Sequence, residues 1–246
     1  YEVSREFYVN DAGNQIEKFK TSLECRYLAL YKDGIEMPED SYHGEDIVNH
    51  AKAFAELNGN KFVDADSEVR RQALCDFALP KNIEGLERDL GKYRITYDNW
   101  FKESELHKNG AVEDILDKLK KSGYTYEQDG ALWFKSSELG DEKDRVLVRE
   151  NGIPTYFVPD IAYHYNKLVT RGYDKAIDIL GADHHGYIPR MKAAMTALGV
   201  DAGKLDMVIM QMVNLVRDGE RYKLSKRSGK AITLSPLLLS LIHISE

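Results

Sequence analysis

The run Ala176-Ile177-Asp178-Ile179-Leu180 is almost wholly apolar, and Asp206-Met207-Val208-Ile209-Met210 repeats that character after a helical pattern from about Tyr187 to Leu198. Strand, helix and strand in that order imply parallel pairing, because strands buried on both faces of a parallel sheet read as continuous apolar runs. Upstream, Val146-Leu147-Val148 reads as a strand and the stretch from about Asp160 to Arg171 as a helix, so the same alternation is expected from Arg145 onward. The second half therefore predicts a doubly wound, nucleotide-binding α/β unit.

The first half is built differently. Val3 to Val9 is rich in β-formers, and Asn10-Asp11-Ala12-Gly13 supplies side-chain oxygens expected to cap a helix. That helix should run from about Asn14 to Tyr31, bury Ile16, Phe19, Leu23, Tyr27 and Leu30, and end at Asp33-Gly34. From Pro38 to about Leu139 the pattern is helical, charged and punctuated. An amphipathic stretch, Ala111 to Lys121, precedes two short β-like runs, Thr125-Tyr126-Glu127 and Ala131-Leu132-Trp133-Phe134. This region is expected to be an insertion packed on the main sheet.

Composition excludes several classes. With 43% hydrophobic and 30% charged residues the chain is an ordinary globular protein. A net charge of −7 argues against indiscriminate binding to phosphate backbones. Cys25 and Cys75 are the two cysteines and have no CxxC spacing, so neither a disulfide framework nor a zinc knuckle is expected, and a cytoplasmic setting fits best. No run of about 18 apolar residues is present. The chain opens on Tyr1 in what already reads as a strand, so it is expected to begin inside a fold.

Three polar clusters fall at strand ends, where ligands bind in such sheets. Lys223-Leu224-Ser225-Lys226-Arg227-Ser228-Gly229-Lys230 follows the last parallel strand, and its lysines can deliver ammonium groups to a polyphosphate. It lacks the P-loop pattern, and a solvated basic turn is the bland alternative. Gly181-Ala182-Asp183-His184-His185-Gly186 ends the Ile177–Leu180 strand. Its carboxylate and imidazoles can hydrogen-bond ribose hydroxyls or an amino acid; simple capping by Asp183 and a metal site compete with that reading. In Pro154-Thr155-Tyr156-Phe157-Val158-Pro159-Asp160, Tyr156 and Asp160 can converge on a cationic group, against a core tyrosine and an N-cap aspartate.

These segments, in this order, resemble arginyl-tRNA synthetases, class I aminoacyl-tRNA synthetases of bacterial type. The likeness is carried by Arg5 to Ile16, Gly130 to Phe134, Asp144 to Val148, Thr155 to Phe157, Asp160-Ile161-Ala162-Tyr163-His164 and Gly181 to Met191, and covers about residues 1–234. The resemblance implies activation of arginine by ATP, brought with Mg2+ as substrate, and transfer of the arginyl group to tRNA(Arg). It implies that Lys223 to Arg227 is the KMSKS signature, with Lys223, Ser225 and Lys226 catalytic and Lys226 on the leaving phosphates. It further implies that Tyr156, Asp160 and His184 bind arginine, that Gly181 and Asp183 lie near the ATP ribose, and that Met212 and Val213 offer backbone groups to adenine. No resident metal and no membrane are implied, and the full-length protein is expected to be a cytoplasmic monomer.

The same resemblance sets the expected divisions. Residues 1–37 would end the first half of a catalytic Rossmann domain, 38–139 form the inserted connective segment, and 140–234 carry the second half with the KMSKS-type loop. Residues 235–246 do not resemble the family and are expected to be an artefact of the sequence. The HIGH signature precedes the segment at which this chain starts, so the piece is expected to be catalytically inactive alone. Another class I synthetase, or a module that binds ATP or arginine without chemistry, are the alternatives.

Overall fold

The computed structural model describes residues 1–211, 213, 216, 217, 220, 221, 234 and 238. The chain forms two compact units, Tyr1–Lys102 with Leu215–Glu246, and Glu103–Asn214.

In the first unit, β1 (Glu6–Val9) pairs in parallel with β2 (Asn99–Lys102), Phe7 opposite Trp100 and Tyr8 opposite Phe101. Three helices, α1 (Gly13–Leu28), α2 (Glu45–Asn58) and α3 (Ser67–Lys92), pack on one another. Ile16, Phe19, Leu23 and Tyr27 line one face of α1, at the spacing that puts residues three and four apart side by side. They meet Ile47, Ala51 and Phe54 of α2 and Leu74, Cys75 and Ala78 of α3. Each such large apolar side chain contributes about 1.5–3 kcal/mol when fully buried. Inside this bundle Glu24 accepts from Ser67 Oγ at 2.7 Å, Arg70 Nε at 2.9 Å and Arg71 Nε at 2.5 Å.

Two expectations for α1 are corrected. Its N-cap is Ala12, with no side-chain cap, because the chain already turns through the Asp11 N–H to Val9 carbonyl bond at 2.9 Å. The helix ends at Leu28, and the amides of Leu30 and Tyr31 bond three residues back, a tightening that leaves Leu30 44% exposed rather than buried.

The second unit starts with α4 (Glu103–Lys108) and α5 (Ala111–Lys121). The Ala111 amide donates to Asn109 Oδ1 at 3.0 Å, Glu113 and Asp114 sit in the first turn of α5, and Lys118, Lys120 and Lys121 in the last. That charge order opposes the helix dipole, while Val112, Ile115 and Leu119 form the buried face. Strands β3 (Thr125–Gln128), β4 (Ala131–Phe134) and β5 (Arg145–Val148) then form an antiparallel sheet.

The antiparallel pairing of β5 corrects the parallel pairing expected of it. Ser136 Oγ donates to Asp141 Oδ2 at 3.0 Å and to the Lys143 carbonyl at 2.8 Å. Arg145 in turn grips Asp141 through Nε at 2.7 Å and its terminal nitrogen at 2.8 Å, which folds the chain straight back along β4.

Helix α6 (Phe157–Tyr165) runs earlier than expected and continues as a π-helical turn, Asn166–Thr170, closed by the Arg171 amide on the Asn166 carbonyl at 2.8 Å. Strand β6 (Ala176–Gly181) pairs in parallel with β7 (Leu205–Met210), and α7 (Tyr187–Ala197) lies between them in the chain, as expected. One face of this pair is not buried: Ile177 is 61% and Ile179 72% exposed, so the apolar run signals a parallel strand without signalling that both faces are covered. The fold is thus α/β, with parallel strand pairs, an antiparallel sheet and helices.

Candidate functional site

Two chain segments of the second unit converge through their helix starts. Upstream of α6, the Thr155 amide donates to the Leu147 carbonyl at 2.8 Å and its hydroxyl to the Val146 carbonyl at 2.8 Å, pinning the first turn of α6 to β5. Tyr156 stands at the N-cap position and is 57% exposed, and Asp160 lies within the first turn of α6. Neither the core tyrosine nor the N-cap aspartate describes these residues.

From the other side, β6 ends at Gly181 in extended backbone, a 3-10 turn spans Ala182–His184, and α7 opens at Tyr187. A Cβ at Gly181 would stand 2.7 Å from Asp183 Oδ1, so only glycine lets that carboxylate fold back over the strand end. His184 Nε2 lies 3.7 Å from Asp183 Oδ2, both side chains more than half exposed. Its ring meets that of Tyr187 edge-on with centroids 6.2 Å apart.

Asp160 joins the two segments. Residue 160 keeps some solvent contact, yet burial pushes its carboxyl above the ordinary carboxylate range. A hydrogen bond from Tyr187 and the proximity of His164 and His184 pull the other way, while the charge of Asp178 adds to the rise. The result is a desolvated carboxylate whose nearby cationic groups are imidazoles. A carboxylate so placed favours a ligand that brings its own positive charge and several donors, as a guanidinium does.

Beneath Asp160 lies a group of residues that the sequence reading passed over. His164 Nδ1 is 2.7 Å from the Asp160 carbonyl and its Nε2 is 2.5 Å from Asp178 Oδ2. Lys167 Nζ donates to Asp178 Oδ1 at 2.6 Å. Burial opposes ionisation of Asp178, but the His164 bond and the charges of His164 and Lys167 hold its carboxyl far below the usual range. The available signal was Asp178 itself, a carboxylate in the middle of an apolar strand, which requires partners from a neighbouring element.

Structure thus brings together Asp160, His184 and, through the same turn, Asp183 and Gly181, with Tyr156 exposed at the start of the same helix as Asp160. Val213 is 85% exposed beyond the end of β7. Met212, Lys223, Ser225 and Lys226 lie outside the described residues. Among the described residues no group of three or more His, Cys, Asp and Glu side chains could hold a metal ion, and no helix is long and apolar enough to cross a membrane.

The model of the family "tRNA synthetases class I (R), catalytic domain" matches residues 3–243. The chain is 57% identical over 240 residues to an arginine–tRNA ligase of Acetivibrio thermocellus, covering 97% of this chain and 43% of that relative. It is 56% identical to an arginine–tRNA ligase of Caldanaerobacter subterraneus, covering 97% of this chain and 42% of the relative. The chain therefore spans about 43% of the length of such curated relatives. Among solved structures, a Campylobacter jejuni protein assigned as an arginyl-tRNA synthetase superposes with a TM-score of 0.82 at 42% identity, over 95% of this chain and 50% of that one. The Thermus thermophilus arginyl-tRNA synthetase shares the fold, with a TM-score of 0.67 at 20% identity over 97% of this chain and 45% of that one.

Proposed function

The chain belongs to the family of class I tRNA synthetase (R) catalytic domains, and from that premise we propose that it serves the ATP-dependent activation of arginine and the transfer of the arginyl group to tRNA(Arg). The observation that carries the substrate assignment is the desolvated Asp160 carboxylate at the start of α6, hydrogen-bonded by Tyr187 and flanked by His184.

In this reading Asp160 takes the guanidinium as charge partner, exposed Tyr156 lies along it, and His184 contacts the amino acid. The arginine carboxylate oxygen attacks the α-phosphorus of ATP. A new oxygen–phosphorus bond forms as the bond to pyrophosphate breaks, and the electron pair leaves with pyrophosphate. The lysines of the signature loop, Lys223 and Lys226, with Ser225, stabilise that departing charge, Lys226 against the phosphates themselves. Gly181 and Asp183 lie by the ribose, and Met212 and Val213 give backbone groups to adenine. Mg2+ enters with ATP as part of the substrate. In the second step a terminal ribose hydroxyl of the tRNA attacks the arginyl carbonyl and AMP leaves. Both steps rest on placement and charge stabilisation more than on covalent catalysis. The proposal extends to action as a cytoplasmic monomer, with residues 38–139 as the inserted segment between the two halves of the catalytic domain.

Calorimetric titration of arginine, then lysine, into the folded chain tests the substrate assignment, with Asp160→Asn as control. The expected result is binding of arginine that lysine does not reproduce and that Asp160→Asn abolishes. Equal binding to the Asp160→Asn chain, or none to the folded parent, would sink the assignment.

A further inference from the structure

The arginine site as read above leaves one buried charged cluster without a task. His164 is 4% and Lys167 8% exposed, and both meet Asp178 in the middle of β6. Two bonds fix the state of the imidazole. Nδ1 faces the Asp160 carbonyl, an acceptor, and Nε2 faces a carboxylate oxygen of Asp178, whose other oxygen already accepts from Lys167. A ring held between two acceptors donates from both nitrogens, which is the imidazolium form.

Counted with Asp160, the cluster then holds two cations, His164 and Lys167, against two carboxylates, Asp160 and Asp178. It is balanced before any ligand arrives. Removal of Lys167 leaves one cation for two carboxylates in a desolvated place, and one of the two must take up a proton. Asp178 retains its direct bond from His164, so Asp160 is the one that does. A neutral Asp160 has no charge to offer a guanidinium. Lys167 is also held in place from outside the pair, with its ammonium over the Tyr163 ring at 4.3 Å.

We propose that Lys167, acting through Asp178 and His164, is a positioning residue of the guanidinium site, one that keeps the Asp160 carboxylate charged and its helical turn fixed. The proposal rests on the reading that Asp160 receives arginine. The groups around Asp160 are Tyr187 of α7, His184 of the turn after β6, Asp178 of β6 and His164 of its own helix. Of the other helices packed on α6, α4 carries Glu103 and His107, 4.0 Å apart, and α5 sets Lys118 over the Tyr165 ring at 5.5 Å.

The test uses the full chain with 13C-labelled aspartate carboxyls, the Asp160 resonance being identified by its loss in Asp160→Asn. Asp160 is titrated in the parent, in Lys167→Gln and in Lys167→Arg, and arginine affinity is measured across the same pH range. In Lys167→Gln the Asp160 midpoint is expected to rise by about one unit or more, with about a tenfold loss of arginine affinity near neutral pH that recovers as pH rises. Lys167→Arg should behave as the parent. A structural role alone would weaken binding equally at every pH, and a folded Lys167→Gln chain with an unmoved Asp160 midpoint would overturn the proposal.

If Lys167→Gln does not fold, Lys167→Met/Asp178→Asn is used, which removes one cation and one anion together. Its Asp160 midpoint should stay within about half a unit of the parent's, and a rise of about one unit or more would overturn the proposal. Should the parent fail to bind arginine while the Asp160 midpoint moves as expected, the arginine reading fails and the charge balance stands.

Discussion

The phenol of Tyr187 hydrogen-bonds the carboxylate of Asp160, joining the first turn of α7 to the first turn of α6. That bond favours the charged form of a carboxyl that burial drives toward neutrality. It therefore affects both the aim of Asp160 and its ionisation.

Tyr187→Phe should keep the fold and weaken arginine binding by about tenfold, the net value of one hydrogen bond to a charged group. Calorimetry at neutral pH measures it. An unchanged dissociation constant would mean that the bond contributes nothing to the bound state.

Arginine affinity should fall as pH falls through the Asp160 midpoint. Because that midpoint is raised, the loss is expected to begin above the ordinary carboxylate range of about 4. A titration from pH 8 downward tests the sign, and affinity that grows on acidification contradicts it.

Asp160→Asn should abolish binding yet leave the melting temperature equal to or above that of the parent at neutral pH. A carboxyl with a raised folded-state pKa binds more protons folded than unfolded, so it lowers stability as pH rises through that window. Removing the charge removes this loss. The difference in melting temperature should shrink on acidification below the unfolded value. Asp178 has the opposite sign: its depressed pKa contributes stability present above the unfolded value and lost as pH falls below it.

Glu24→Ala should cost about 3 kcal/mol or more, since it strands Arg70 and leaves Arg71 and Ser67 without their shared acceptor. Urea denaturation measures the loss. A change under about 1 kcal/mol would show that the three donors find other partners.

Cys75 should resist alkylation in the folded chain, because burial pushes its thiol up to about 11 and the side chain is enclosed in the helical bundle. Mass spectrometry after brief iodoacetamide treatment, with and without urea, checks this. Modification of Cys75 at equal rates in both conditions would contradict the packing.

Much of the fold was legible because its signals are local. Ala111–Lys121 matches α5 residue for residue, since apolar spacing, acidic start and basic end all agree. The β6–α7–β7 unit was readable for the same reason. The direction of β5 was not, because it depends on Ser136, Asp141 and Arg145 closing a turn, and short strands look alike whichever way they pair. In the site, Tyr156, Asp160 and His184 stood out as polar residues at strand ends. His164 and Lys167 did not, because a histidine and a lysine on a helix read as surface until Asp178 is seen to face them across 11 or more residues of chain.

The π-helical turn at Asn166–Thr170 gives that last contact a history. A turn of this kind contains one residue more than an α-helical path would use, and each residue of an α-helix advances by about 100°. An insertion of a single codon into an ancestral helix produces it, leaving the preceding turn in phase and rotating everything after. Deleting one residue between 166 and 170 would restore a regular helix but swing the chain that follows off its present face. Sequence comparisons that open or close a gap here therefore decide whether a relative retains the Lys167 contact, even where a lysine stands nearby in its sequence.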